Sequence, residues 1–419
     1  MKRQEQIDAP PSALEFKTPN TISLEFAMLT PLFGGGAESR QPLDEDMPLR
    51  GSAIRGQLRF WWRAARGGQY KTLDELRAAE VRLWGEGTAP GIASLSTKSD
   101  KPSFSKEHYF EKDHRGNWRP SRGKESLAYM GFSLQPTKDE ARAGIAARPA
   151  IAVSGKHTLT ITLHASASDD DRQEIEAAVW AWSHFGGIGG RTRRGFGAVS
   201  TSDTESLRDL LSSKHIVDKR PPEEGIPSLA PSAGAQLVAL SGSGPAAAQW
   251  KAIADKYQAF HQGKNVGRNT PQPGKWAGRS RWPEPDVIRH NTDRHNSGDP
   301  QHQQRIVNVD KAPRGQFGMP VIFHFIEHID DLTLKPGEHE RYGSPLILRP
   351  LGQKDKAHAI ALVLGNRPNL DHLDGGVVLH QGRNEYPVQV KLTAADAAAM
   401  REPLGADPDP LLSFLKFLK

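Results

Sequence analysis

The 419-residue chain contains no cysteine. That absence excludes disulfides, thiolate zinc sites, iron-sulfur clusters and a cysteine nucleophile. No run of about 18 apolar residues occurs either, so no membrane-spanning helix is expected. The N-terminal MKRQEQIDAPPSALEF lacks the apolar core of a secretory signal, and a cytoplasmic location is expected. With 37% hydrophobic residues the chain can bury a substantial core, and its length suggests two domains. A net charge of +6 suits a weakly basic enzyme as well as a nucleic-acid binder.

Acidic residues are missing from three stretches, and there the positive charge concentrates. Between Asp46 and Asp74 stand Arg50, Arg55, Arg59, Arg63, Arg66 and Lys71. Between Glu176 and Asp203, Arg191, Arg193 and Arg194 lie among Gly186, Gly187, Gly189, Gly190, Gly195 and Gly197. From Lys256 to Pro283, Lys256, Lys264, Arg268, Lys275, Arg279 and Arg281 interleave with Tyr257, Phe260, Trp276 and Trp282. Cations beside aromatic faces suit phosphates and unstacked bases. The plainer reading of each stretch alone is a solvated surface segment.

Residues 1–20 read as a loose polar arm. The alternation in ISLEFAML (22–29) predicts a half-buried strand. Ser52 offers an N-cap to a helix running to Arg66, whose apolar side is Ile54, Leu58, Trp61, Trp62 and Ala65. Arg55, Arg59, Arg63 and Arg66 form a stripe on its other side, unfavourable for the helix unless an anion lies against it. A capping box at Thr72 and Glu75 predicts a second helix from Leu73 to Trp84. Residues 98–126 lack an apolar period and read as a long mobile insertion. Strands are predicted around 127–134 and 157–164, then a helix capped by Asp170 or Asp171 and stopped at Gly186. The glycine-rich turn leads to a strand near Ala198. This β-α-β-β-α-β order suggests an α+β, ferredoxin-like sheet with helices on one face. Residues 202–235, rich in Pro, Ser and Glu, read as a linker. Beyond them a strand (236–240), a helix (246–260), strand-like runs at 319–325, 346–351, 357–364 and 387–392, and a helix near 394–400 again fit an α+β domain.

The segments TPLFGGG (30–36), PLRGSAIRGQLRFWWRA (48–64), GGIGGRTRRGFGAV (186–199), GRSRWPEPDVIR (278–289), FGMPVIF (317–323) and RYGSPLILRPL (341–351) resemble the RAMP superfamily. Within it they are similar to the subunit numbered one of type III-B (Cmr) CRISPR effector complexes. The resemblance implies two ferredoxin-like (RAMP/RRM-like) domains with long loop insertions, here 21–201 and 236–419. It also implies RNA binding without a catalytic centre, at the guide-RNA 3′ end, with guide RNA, target RNA and other Cmr subunits as partners in antiviral defence. No family signature is evident in 98–126 or beyond about 352.

Joined to the charge pattern, this makes Arg50, Arg55, Arg59, Arg63, Gly186, Gly187, Gly189, Gly190, Arg191, Arg193, Arg194, Lys275, Arg279, Arg281 and Trp282 the candidate RNA contacts. Glycines allow backbone N–H groups to approach a phosphate, and Gly190 and Gly195 are expected to need positive φ. No cofactor, metal or membrane partner is expected. Gly190 to Gly195 has P-loop spacing, but Phe196 and Gly197 stand where Lys and Ser or Thr are required. His290, His295 and His302 with Asp293 and Asp299 match no standard metal spacing and read as polar loop. For RNA cleavage, His184 is the best-placed general base, giving a guide-processing endoribonuclease as the alternative function. Packing on Trp180 at a helix end is the plainer role for His184. Asp44 and Asp46 read as a solvated loop, and a scaffold subunit docking neighbours through exposed aromatics is a third possibility.

Overall fold

A computed structural model describes residues 20–34, 49–200, 205–267, 280–292, 305, 307–324 and 331–419. In chain order the elements that place the site are β1 (Asn20–Phe26), α1 (Gly51–Arg66), α2 (Leu73–Trp84), β2 (Ala93–Glu107), α3 (Glu125–Met130), β3 (Ala150–Leu163) and α4 (Asp169–Phe185). The second half brings β4 (Gln236–Ala239), α5 (Ala246–Gln262), α6 (Glu284–Asn291), β5 (Val321–Phe323), β6 (Leu332–Pro336), β7 (Leu346–Gly352), β8 (Ala357–Val363), β9 (Val377–Gln381), β10 (Asn384–Pro387), α7 (Ala394–Met400) and α8 (Pro410–Phe417).

In the first half β3 lies between β1 and β2, antiparallel to both. Residues 198–200 extend the sheet beyond β1, with Leu29 N donating to Ala198 O (2.8 Å) and Ser200 N to Ala27 O (2.7 Å). The pleat sends Leu159, Ile161 and Leu163 toward Ile54, Leu58, Trp61, Trp62, Ile175 and Trp182 of α1 and α4. The opposite face carries hydroxyls: Thr21, Thr162 and Ser94 stand in one cross-strand row, Ser23, Thr160 and Ser96 in the next. Apolar burial against two helices therefore fixes both the register and the face.

The second half contains two antiparallel sheets, β7–β8–β4 and β10–β9–β6–β5. Along β7 and β8, Ile347, Leu351, Ile360 and Leu362 join the core of the first half. Their alternates Leu346, Leu348, Ala359, Ala361 and Val363 pack with Trp250, Ile253, Tyr257 and Phe260 of α5. Strands β7 and β8 are buried on both faces, which is why LILRPL and AIALV read as apolar runs without alternation. Residues of the two halves thus share both large cores.

Several sequence expectations change. Residues 98–107 are not a mobile insertion but the continuation of β2, a strand whose polar face hid its period. Residues 127–134 form α3 and a 3-10 turn, not a strand, burying Leu127, Ala128, Met130 and Leu134. Helix α1 starts at Gly51 with Arg50 at the N-cap and no side-chain cap bond, and α4 is capped by Ser168 in a capping box with Asp171. Residues 205–235 lie against α1: Val217 N and Leu229 N donate to Ala65 O and Ala64 O (2.9 and 2.8 Å), and Leu210, Ile216 and Leu229 are buried. Only β5 and β10 touch the runs expected at 319–325 and 387–392, while β6, β9, α6 and α8 were not foreseen. Among the described residues no helix is long and apolar enough to cross a membrane.

Candidate nucleic-acid interface

Helix α4 delivers the glycine-rich turn into the seam between the halves. Its last residues, Trp182 and Phe185, are buried, and Gly186 follows because any Cβ there would stand 2.5 Å from Trp182 and 2.6 Å from Trp61. Gly187 and Gly189 back onto the carbonyls of Gly197 and Phe33. Gly190 N donates to Phe33 O (2.7 Å) and Gly197 N to Pro31 O (2.9 Å), while Thr30 Oγ1 donates to Gly195 O (2.6 Å). Arg191 (φ 55°) and Gly195 (φ 80°) bracket a 3-10 turn at Thr192–Arg194. Gly195 needs its left-handed conformation as expected. Gly190 does not have positive φ, and a Cβ there would only press on the Phe33 ring at 3.1 Å. Contacts inside the protein thus account for most of the glycine density.

The three arginines of this turn meet no carboxylate among the described residues. Arg191 donates from Nε to Ser133 Oγ (3.0 Å) and from Nη1 to Met130 O (3.3 Å), and its guanidinium lies 4.2 Å over the Phe132 ring. Arg193 donates to Ser344 O (2.6 Å) and lies 5.1 Å over Phe60. Arg194 reaches Leu346 O (3.0 Å), Phe317 O (3.3 Å), Ser344 Oγ (3.2 Å) and the Tyr257 hydroxyl (3.0 Å). Burial, and then repulsion from Arg194 and Arg341, push the Arg191 guanidinium down to about 10. Burial and Arg194 lower Arg193 as well. Arg191 and Arg193 are half-buried, and Arg191 Nη2 and Arg193 Nε and Nη2 have no acceptor among the described residues. Exposed Arg341 adds a fourth positive charge. The arrangement holds several donors and a local excess of positive charge, which an anion would relieve.

The stripe on α1 is built differently, because the chain itself brings the anions. Arg59 Nε donates to Glu80 Oε1 of α2 at 2.7 Å, and Arg63 pairs with the same oxygen. Arg66 donates from Nε and Nη2 to the same Oε1 of Glu174 on α4 (2.9 and 2.6 Å), and Arg55 bonds the carbonyl of Trp84. Arg50 is half-buried, and its carbonyl accepts from Ala53 N and Ile54 N to start the helix. Lys275 and Arg279 lie outside the described residues. Arg281 is half-buried, its N–H donating to Gly267 O (2.6 Å). Trp282 is fully buried, with its indole donating to Phe260 O (3.1 Å), so this ring presents no face to a base.

His184 is buried, packs against Trp180 with ring centroids 4.8 Å apart and planes tilted by 33°, and places Nδ1 2.8 Å from Trp180 O. That is the packed helix-end role, with the side chain almost wholly removed from solvent. His290 lies near the end of α6, whereas His295, His302, Asp293, Asp299, Asp44 and Asp46 lie outside the described residues. No cluster able to hold a metal occurs among the described residues. Sequence reasoning missed Arg349, which is completely buried on β7. It donates to Gly186 O at the end of α4, to Val199 O (2.6 Å) and to Pro350 O (2.9 Å), and burial pushes its guanidinium down to about 9. A cation at a helix C-terminus is the electrostatically favourable choice.

Comparison with known proteins follows from this geometry. The family model described as the RAMP superfamily matches residues 25–200. Among solved structures, Cmr1 from Pyrococcus furiosus in its apo form is 13% identical, covering 82% of this chain and 87% of that one, with a TM-score of 0.40. A chain of the type III-B Cmr-beta complex bound to cognate target RNA is 11% identical over 95% of this chain and 100% of its own, with a TM-score of 0.45. In the same complex with target RNA and AMPPnP, in the presence of single-stranded DNA, a chain is 12% identical over 96% and 99%, with a TM-score of 0.47. No protein of curated function matches.

Proposed function

We propose that this chain, whose residues 25–200 match the RAMP-superfamily model, is a non-catalytic RNA-binding subunit of a type III-B (Cmr) CRISPR effector complex. In this reading it sits at the guide-RNA 3′ end of a cytoplasmic assembly, touches other Cmr subunits and helps to capture target RNA in antiviral defence. In this reading the two halves, which share a core, are ferredoxin-like domains with the glycine-rich turn at their seam. The observation that carries the reading is the carboxylate-free group of Arg191, Arg193, Arg194 and Arg341 around that turn. Arg194 is committed to the seam, whereas Arg191, Arg193 and Arg341 keep donors for phosphates. A ribose-phosphate strand passing Gly190 would meet these forks in succession and relieve their mutual repulsion.

The arginines of α1 hold the fold in this reading, since each already meets an internal carbonyl or carboxylate. The buried His184 argues against the endoribonuclease alternative. Incubating the full-length protein with guide precursor and with single-stranded target RNA in EDTA should give retention on a filter and no defined cleavage product. A defined product would replace this reading with the nuclease one, and no retention at low salt would remove it.

A further inference from the structure

Resting on the RNA-binding reading, we propose that Phe132 is a stacking platform for one unpaired nucleobase, backed by Arg191. Phe132 begins the 3-10 turn after α3 and remains 52% exposed although the Arg191 guanidinium covers one face of its ring at 4.2 Å. Its other face is therefore open to solvent. A large aromatic left in water is unfavourable unless something covers it, and single-stranded nucleic acid covers such rings with its bases.

Two further features select a nucleobase over a protein side chain. Arg191 is held over the ring by Ser133 Oγ and Met130 O in a left-handed backbone conformation unusual for arginine, so the cation and ring form a rigid pair. Arg191 Nη2 stays unpaired among the described residues, and Arg341, close enough to lower the Arg191 pKa, is exposed beside it. A base on the open face would place its own phosphates near these two cations. An apolar protein segment would leave them desolvated and without a partner. The outer face of the first sheet, by contrast, presents rows of Thr, Ser and charged residues, among them Thr21, Thr162 and Ser94 and then Glu25, Thr158 and Lys98.

The test uses the full-length protein and a short single-stranded RNA with 2-aminopurine placed at each position in turn. The wild-type protein should quench emission at one position. Phe132→Ala should restore emission there and weaken binding roughly 5- to 100-fold, with an unchanged salt slope because no charge is lost. Phe132→Trp should keep both quenching and affinity. RNA carrying an abasic site at that position should bind wild type and Phe132→Ala equally. Failure of wild type to bind any RNA would remove the RNA-binding reading itself. Wild-type binding with Phe132→Ala indistinguishable, or with equal losses on intact and abasic RNA, would remove the platform alone.

Discussion

Replacing Arg59 and Arg63 together with glutamine distinguishes a structural stripe from an RNA path. Both guanidiniums converge on Glu80 Oε1, and the Glu80 side chain is only 9% exposed while the arginines are 32% and 31% exposed. The double substitution leaves a nearly buried carboxylate without a cation. Removing one side of a buried pair costs about 3–5 kcal/mol, and the one-third exposure of the arginines reduces that to about 2–3 kcal/mol. Glu80→Gln in the same background removes the stranded charge and should return more than about 1 kcal/mol, a coupling that a mutant cycle isolates. Urea unfolding followed by tryptophan fluorescence reads each step, and Trp61, Trp62 and Trp84 lie in the core beside the pairs. RNA affinity should change less than about threefold, under 1 kcal/mol. Unchanged stability combined with a large loss of RNA affinity would refute the assignment and return α1 to the RNA path.

Gly195→Ala should destabilise by about 2–4 kcal/mol, since its Cβ would stand 2.5 Å from Trp250 Nε1 and 2.7 Å from Leu348 O at a φ of 80°; the urea midpoint measures this. Arg349→Leu should cost about 2–4 kcal/mol by leaving the Gly186 and Val199 carbonyls unpaired in the seam, and a gain in stability would show that relief of the buried charge dominates. Burial, and then Arg314 and Arg194, hold buried His261 well below the usual histidine range, and burial lowers His157 too. Their unfolded forms take up protons below about 6.5 while the folded forms do not, so stability is lost as pH falls through that value, by up to about 1.4 kcal/mol per unit for each group. His261→Gln should flatten this slope in urea titrations between neutral and mildly acidic pH.

Legibility tracked how local the cause was. Helices α1, α2 and α5 were readable because their apolar spacing and, for α2, its Thr72 cap lie within one element, although the Glu75 carboxylate accepts from Lys71 N rather than closing the expected capping box. In the first half β1, β3 and α4 were readable for the same reason, whereas the strand expected at 127–134 is helical. Strand β2 was not, since its long pairing with β3 leaves the Ser- and Lys-rich face in solvent and interrupts the pattern with a bulge between Asp100 and Ser103. The arginine stripe was legible as a stripe, and so was its need for an anion. That Glu80 and Glu174 are the anions depends on how α2 and α4 pack against α1, which spacing within one helix does not contain. Trp282 sat in a basic segment and read as a candidate RNA contact, but its indole closes against Phe260 and Phe317. Arg349 was hidden within an apolar run, where its carbonyl partners come from residues 186 and 199.

The central claim is that the guanidinium group at the glycine-rich turn binds RNA phosphates. Its most direct test is the affinity of full-length wild-type and Arg341→Gln proteins for a short single-stranded RNA across a range of salt. Arg341 is exposed and makes no ion pair among the described residues, so the substitution should leave stability within about 0.5 kcal/mol. The account predicts that wild-type log K falls linearly with log salt and that Arg341→Gln lowers the slope by about 0.7, one phosphate contact. A wild-type affinity independent of salt, or identical slopes for the two proteins, would contradict it.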